Sequence, residues 1–209
     1  MTADGATSDS AAANPTGARS EPVPLVNIAN ILTVSRLALV PVFLVALFWG
    51  DGHDTLWRWI ATAVFAIASI TDRIDGDLAR KRGLVTDFGK VADPIADKAL
   101  TGAALVGLSL LGDLGWWVTW VIIGREVAVT LLRFWVIRHG VIAASRGGKV
   151  KTLLQALAIG FYLLPLGAWA DVPRWIVMGA ALIATVVTGL DYVVRAVRLR
   201  AAGRAKVGA

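Results

Sequence analysis

Cysteine is absent from this 209-residue chain, and histidine occurs only at His53 and His139. The first absence excludes disulfides and thiolate chemistry, and two histidines so far apart exclude a histidine-based metal centre. Charge is scarce as well. Only 17% of residues are Asp, Glu, Lys or Arg, against 56% hydrophobic, and the mean hydropathy is +0.67. That is more apolar sequence than one soluble core buries, so the chain reads as an integral membrane protein.

Residues 1–24 are rich in Ala, Ser, Thr, Gly and Pro and contain no apolar run. With no basic start leading into a hydrophobic stretch, they are expected to form a disordered tail rather than a signal peptide. A membrane domain over 25–198 and a basic tail over 199–209 complete the expected division. Apolar segments at 34–49, 57–71, 95–111, 115–137, 153–170 and 175–194 predict six transmembrane helices. Some fall short of the roughly 20 residues a span needs, but each extends through its flanks.

Charge placement gives the orientation. Arg73, Arg80, Lys81, Arg82 and Lys90 lie between the second and third segments, Arg138, Arg146, Lys149 and Lys151 between the fourth and fifth, and Arg195, Arg198, Arg200, Arg204 and Lys206 at the end. The alternate connections carry Asp51, Asp54, Asp113 and Asp171, with Arg58 and Arg174 their only nearby basic residues. Positive residues favour the cytoplasmic side, so both termini and the basic connections are expected there, in a multi-pass protein of the cell membrane. Trp49, Trp57, Trp59, Trp116, Trp117, Trp169 and Trp175 gather at the opposite connections, as interfacial aromatics do. The formal net charge of +6 belongs to residues beside hydrophobic spans, which points to anionic lipid and phosphate-bearing substrates and not to nucleic acid.

Against these apolar segments stand Asp72, Asp75, Asp93 and Asp97. The first pair is spaced i,i+3 and the second i,i+4, so on helices each pair points from one face. Two such faces brought together form an oxygen-lined cage for a divalent cation. A metal-dependent enzyme, a cation transporter and a solvated acidic loop all remain open on this pattern alone.

The surrounding residues narrow the choice. From Asp72 the run reads Asp-x-x-Asp75-Gly76-x-x-Ala79-Arg80, then eight residues, then Gly89-x-x-x-Asp93-x-x-x-Asp97. It resembles the complete signature of the CDP-alcohol phosphatidyltransferase family. The resemblance implies a six-helix membrane bundle preceded by a short interfacial helix around 26–32, the active site on the cytoplasmic side, and a homodimer. It also implies two ions of Mg²⁺ or Mn²⁺, which suit oxygen ligands. Asp72, Asp75 and Asp93 would hold them, and Asp97 would contact the second ion and accept the proton of the attacking alcohol. Gly76 and Gly89 would leave room for the nucleotide, and Arg80 would bind its diphosphate. Thr86, Ala79, Asn30 and Thr33 complete the expected CDP-diacylglycerol set.

Further stretches bear on the acceptor. Asn27-Ile-Ala-Asn30-Ile-Leu-Thr33-Val-Ser-Arg36 with Pro41, then Arg125-Glu126, Arg133 and Gly148-Lys149-Val-Lys151-Thr152-x-x-Gln155, are similar to segments of the phosphatidylglycerophosphate synthases within that family. Ala29, where those proteins often carry proline, and Arg73-Ile74, where an aromatic is common, are departures at positions without chemistry. The resemblance implies transfer of a phosphatidyl group from CDP-diacylglycerol to sn-glycerol 3-phosphate, giving phosphatidylglycerophosphate and CMP. Arg125, Arg133, Lys149, Lys151 and Arg195 would bind the acceptor phosphate, by forked guanidinium or point-charge ammonium. A cardiolipin synthase or an inositol phosphate synthase would share the metal motif. For Arg125 and Glu126 an internal ion pair is an equal expectation. Ala99, Ala103 and Gly107 form a small-residue stripe fit for close helix contact, within one subunit or between two.

Overall fold

The computed structural model describes residues 28–82, 87–136 and 146–207; within these, the side chains of 28–30, 72–82, 87–94, 97, 133–134, 136, 146 and 201–207 lie outside the description. The chain folds as six helices with no strand among the described residues: α1 (Ile28–Phe48), α2 (Thr55–Arg82), α3 (Asp87–Leu110), α4 (Trp116–Val136), α5 (Arg146–Leu163) and α6 (Asp171–Val207). α1 packs against α2 and α3, α6 against α4 and α5, and contacts of α2 with α5 and of α3 with α4 and α5 join the two groups.

Two segments, Ile31–Gly52 and Ala168–Arg200, are long and apolar enough to cross a membrane. The outward faces agree with such surroundings. Val34, Val45, Ile67, Ile70, Leu131, Ile183, Val187 and Leu190 all stand exposed. Water disfavours such a surface, whereas lipid chains match it.

The element bounds differ from expectation in three places. Residues 28–32 are the opening turns of α1 and not a separate interfacial helix, because no glycine or proline between Ile28 and Val34 interrupts the backbone ladder. α5 ends at Leu163 rather than running to Ala170, since Pro165 cannot continue a helix and Gly167 follows it. α6 continues as helix through Val207, well past residue 194, over a stretch rich in the good helix formers Ala and Arg. The expected tail at 1–24 lies outside the described residues.

Small side chains set the closeness of the bundle. Ala61, Ala68, Ala104, Ala158 and Ala181 are fully buried, which lets Phe43, Leu47, Leu105, Leu108, Ile122, Ile159, Leu163 and Met178 interlock between helices. Phe43 and Phe65 meet with ring centroids 6.0 Å apart, joining α1 to α2. Gly107 lies under the Leu47 side chain, and a Cβ there would overlap it. The small-residue stripe is therefore used, at this position, inside one subunit.

The tryptophan-bearing end is closed by ion pairs. After α1 the chain reverses through Gly50, Asp51 and Gly52, all at positive φ, and Asp54 caps α2 by accepting from the Trp57 N–H at 3.0 Å. Trp49 stacks on Trp57 with centroids 4.7 Å apart. Arg58, one turn into α2, is only 6% exposed: it donates to the Gly52 carbonyl, to the Tyr162 carbonyl at the end of α5, and to Asp113 between α3 and α4. Arg174 does the same for the α5–α6 connection, donating to the carbonyls of Phe161, Leu164 and Leu166 and to Asp171. The orphan carbonyls of a helix end need donors, and these guanidiniums supply them. Replacing Arg58 by Met leaves Asp113 and two carbonyls without that donor. We expect a loss of about 3 kcal/mol, read as a lower thermal unfolding midpoint in detergent micelles; an unchanged midpoint would remove Arg58 from the supports of the fold.

Candidate active site

On each of five helices the buried stripe turns from apolar to polar toward the same end. On α1 it runs Leu47, Phe43, Arg36, Thr33, all buried. On α5 it runs Tyr162, Ile159, Gln155, Lys151, and on α4 Val118, Ile122, Glu126. On α2 buried Ala61, Phe65 and Ala68 precede Asp72 at the next register position, and on α3 buried Leu108 and Ala104 lead back through Thr101 to Asp97. Successive positions lie three, four or seven residues apart, which keeps one face of a helix turned inward. Asp72 and Asp75 follow along α2, and Asp93 and Asp97 come before along α3, near the positions where these stripes continue in sequence.

A cavity of about 160 Å³ opens where these stripes turn polar. Its polar lining is Arg36, Ser69, Lys98, Thr101, Glu126, Lys151, Thr152 and Gln155, with Ala68, Leu105 and Ile122 beneath. The organising group is the Glu126 carboxylate. Its Oε2 accepts from Lys98 Nζ at 3.1 Å, while its Oε1 accepts from an Arg125 guanidinium nitrogen at 3.1 Å and from Lys151 Nζ. Three helices are joined through one side chain. Gln155 extends the polar wall to α6 by donating to Thr185 Oγ1 at 3.2 Å.

The five cations expected at an acceptor phosphate are placed differently from one another. Lys151 is 5% exposed and lines the cavity. Arg125 has every guanidinium nitrogen engaged, with Glu126, with the Thr185 carbonyl at 3.2 Å and with Thr188 Oγ1 at 3.0 Å. It lies across Gly189, whose missing Cβ leaves it room. Lys149 is exposed, Arg195 pairs with Asp191 one turn away at 2.9 Å, and the Arg133 side chain lies outside the described residues. Of the nucleotide-lipid set, Thr33 is buried on α1, one turn before Arg36. Gly76, Ala79 and Arg80 sit in the closing turns of α2 and Gly89 in the opening turn of α3, while Thr86 and the side chains of Asn30 and Arg80 are outside the description.

Sequence reasoning passed over Lys98 and gave no separate role to Arg36 or Gln155. Lys98 carried a signal, since it directly follows the last aspartate of the motif. Arg36 and Gln155 lay inside stretches already singled out, and only the packing of α1 and α5 turns them to one cavity.

Among the described side chains no three His, Asp or Glu groups converge as metal ligands, and those of Asp72, Asp75, Asp93 and Asp97 fall outside that set. Their backbone positions and donor chemistry fit a hard divalent cation: four carboxylates, two on each of two adjoining helix ends, with no sulfur or imidazole in the set.

Comparison with known proteins gives a consistent result. The family model described as CDP-alcohol phosphatidyltransferase matches residues 26–187. A protein of Mycobacterium tuberculosis (strain CDC 1551 / Oshkosh), named probable phosphatidylglycerophosphate synthase, is 59% identical over 174 residues, 83% of each chain. The CDP-diacylglycerol–glycerol-3-phosphate 3-phosphatidyltransferase of Bacillus subtilis (strain 168) is 39% identical over 183 residues, 79% of this chain and 93% of that one. A protein of the same name from Rickettsia felis (strain ATCC VR-1525 / URRWXCal2) is 35% identical over 171 residues.

The brace made by Arg125 generates a prediction about stability. A lysine there keeps the charge but cannot reach Glu126, Thr185 and Thr188 together. We expect Arg125→Lys to cost about 1–3 kcal/mol, seen as a lower unfolding midpoint in micelles; equal midpoints would show that α4 and α6 hold together without it.

Proposed function

Because the chain belongs to the CDP-alcohol phosphatidyltransferase family, we infer that it transfers the phosphatidyl group of CDP-diacylglycerol to sn-glycerol 3-phosphate, releasing phosphatidylglycerophosphate and CMP. The observation that carries the reading is the cavity lined by Arg36, Lys98 and Lys151 against, among the described side chains, a single carboxylate, between helices that include those carrying the four aspartates. A phosphorylated acceptor needs that surplus of positive charge, and a neutral polyol does not. The relatives named for glycerol 3-phosphate transfer support the same acceptor.

The chemistry follows from where the groups lie. Asp72, Asp75, Asp93 and Asp97 would hold Mg²⁺ or Mn²⁺, as two ions. When bound, such cations neutralise the diphosphate and stabilise the charge of the attacking and leaving oxygens. Arg80 holds the diphosphate of the donor, with Thr86 adding a hydroxyl, while Gly76, Ala79 and Gly89 keep the wall low for the nucleotide. Asn30 and Thr33 close that subsite from α1. Lys151 binds the acceptor phosphate at the cavity, Arg133, Lys149 and Arg195 add positive charge on the way to it, and Arg125 contributes by bracing Glu126 behind that wall. Asp97, the last aspartate of the motif, accepts the proton of the free primary hydroxyl as its oxygen attacks the lipid-linked phosphorus and the bond to CMP breaks.

The six helices serve as membrane spans, with the aspartate end and both termini facing the cytoplasm. Exposed apolar side chains around the bundle and the tryptophans at the far end support this placement. A homodimer belongs to the same reading through the family resemblance. Its interface does not use Gly107, which Leu47 of the same chain fills.

Purified protein in micelles, given CDP-diacylglycerol, Mn²⁺ and one acceptor at a time, is expected to release CMP with glycerol 3-phosphate and to stop on addition of EDTA. Asp97→Asn is expected to lower kcat by about 10²–10⁴-fold. Release of CMP only with an inositol phosphate or phosphatidylglycerol overturns the acceptor assignment, and cation flux in vesicles without CMP release overturns the enzyme.

A further inference from the structure

The cluster around Glu126 holds more positive charge than its carboxylate neutralises. Lys98 from α3, Arg125 from α4 and Lys151 from α5 share one negative charge, so the group keeps a surplus equivalent to two cations. The three cations are not equivalent. Arg125 is tied to α6 through Thr185 and Thr188, and it is absent from the lining of the cavity. Lys98 and Lys151 both line it, and each spends one hydrogen bond on Glu126. An ammonium has three donors, so among the described residues each has two beyond its bond to Glu126 for another anion. Their side chains differ in access, Lys98 being 40% exposed and Lys151 6%.

Without the carboxylate these cations repel one another, and the flexible lysines separate. With it, two ammonium groups are fixed on either oxygen of one carboxylate, facing one small polar cavity. We propose that Glu126 is a positioning residue that sets Lys98 and Lys151 as a paired anchor for the phosphate of the acceptor, and that Lys98 touches that phosphate. This rests on the reading of the site as a phosphatidyl transferase with a phosphorylated acceptor. Charge count then contributes to acceptor choice. A phosphate monoester dianion can meet both ammonium groups, a phosphodiester monoanion brings half that charge, and a neutral polyol none. Removing the negative charge while keeping the shape disorders the anchor, but leaves the nucleotide-lipid subsite on α2 intact.

The test is steady-state kinetics on the full chain in micelles, with glycerol 3-phosphate and CDP-diacylglycerol varied separately. Glu126→Gln is expected to raise KM for glycerol 3-phosphate by about ten- to a hundredfold, the loss of a charge-assisted contact. KM for CDP-diacylglycerol should stay within about twofold. Glu126→Asp should recover part of the loss. Lys98→Gln, at a half-exposed position that tolerates exchange, should raise KM for the acceptor alone and provides the answer if Glu126→Gln does not fold. Unchanged acceptor KM in an active Glu126→Gln or in Lys98→Gln overturns the proposal and leaves the function standing. A fall in kcat with both KM values unmoved means a structural or catalytic role and overturns it too. Wild-type protein that releases no CMP with any phosphorylated acceptor removes the functional reading, and the proposal with it.

Discussion

An ion carried from water into an apolar interior costs several kcal/mol unless opposite charge and hydrogen bonds meet it there. That constraint is satisfied in two ways in this bundle. At the tryptophan-bearing end, Arg58 and Arg174 each meet one carboxylate and two or more helix-end carbonyls, so charge is balanced and the guanidiniums act as clasps. In the Glu126 cluster toward the other end, one carboxylate meets three cations, and among the described side chains of that cluster positive charge is left over. The first arrangement closes the bundle; the second leaves it ready for an anion.

The apolar exterior suits the lipid donor. Both the donor and the product carry acyl chains, and each methylene moved from lipid to water costs about 0.8 kcal/mol. A site set among helices whose outer faces carry exposed Ile, Leu and Val lets those chains stay in hydrocarbon while the nucleotide and the acceptor arrive from water. Only the headgroup chemistry has to enter the polar end.

Much of this was legible in the residues. The aspartate spacing with its glycines pointed to the family, and the apolar segments to six helices, because each depends on neighbours along the chain. What was not legible depends on neighbours across it. Arg58 and Arg174 looked like exceptions to a charge rule, and only the meeting of the α1–α2, α3–α4 and α5–α6 connections gives them carbonyls to cap. Arg125 and Glu126 were expected equally as an ion pair or as substrate contacts; the pair is there, but the sequence could not show that Lys98 and Lys151 join it from other helices. The end of α5 was set too late because its apolar run continues through Leu166, whereas the ladder stops where Pro165 removes a donor.

Packing and site are one structure rather than a scaffold and an addition. Leu47 seats in the space above Gly107, which fixes the sliding position of α1 against α3. Arg36 lies eleven residues earlier, three helical turns along the same inward stripe through Phe43, so that seat also sets the height at which its guanidinium enters the cavity wall. Thr101 lies along the α3 stripe that carries Ala104 and Leu108, and Asp97 comes about one turn earlier on the same helix. A side chain at residue 107 large enough to push α1 away would therefore shift Arg36 relative to the aspartates of α3, though it touches neither. The small residues of the core determine the geometry of charges three turns away.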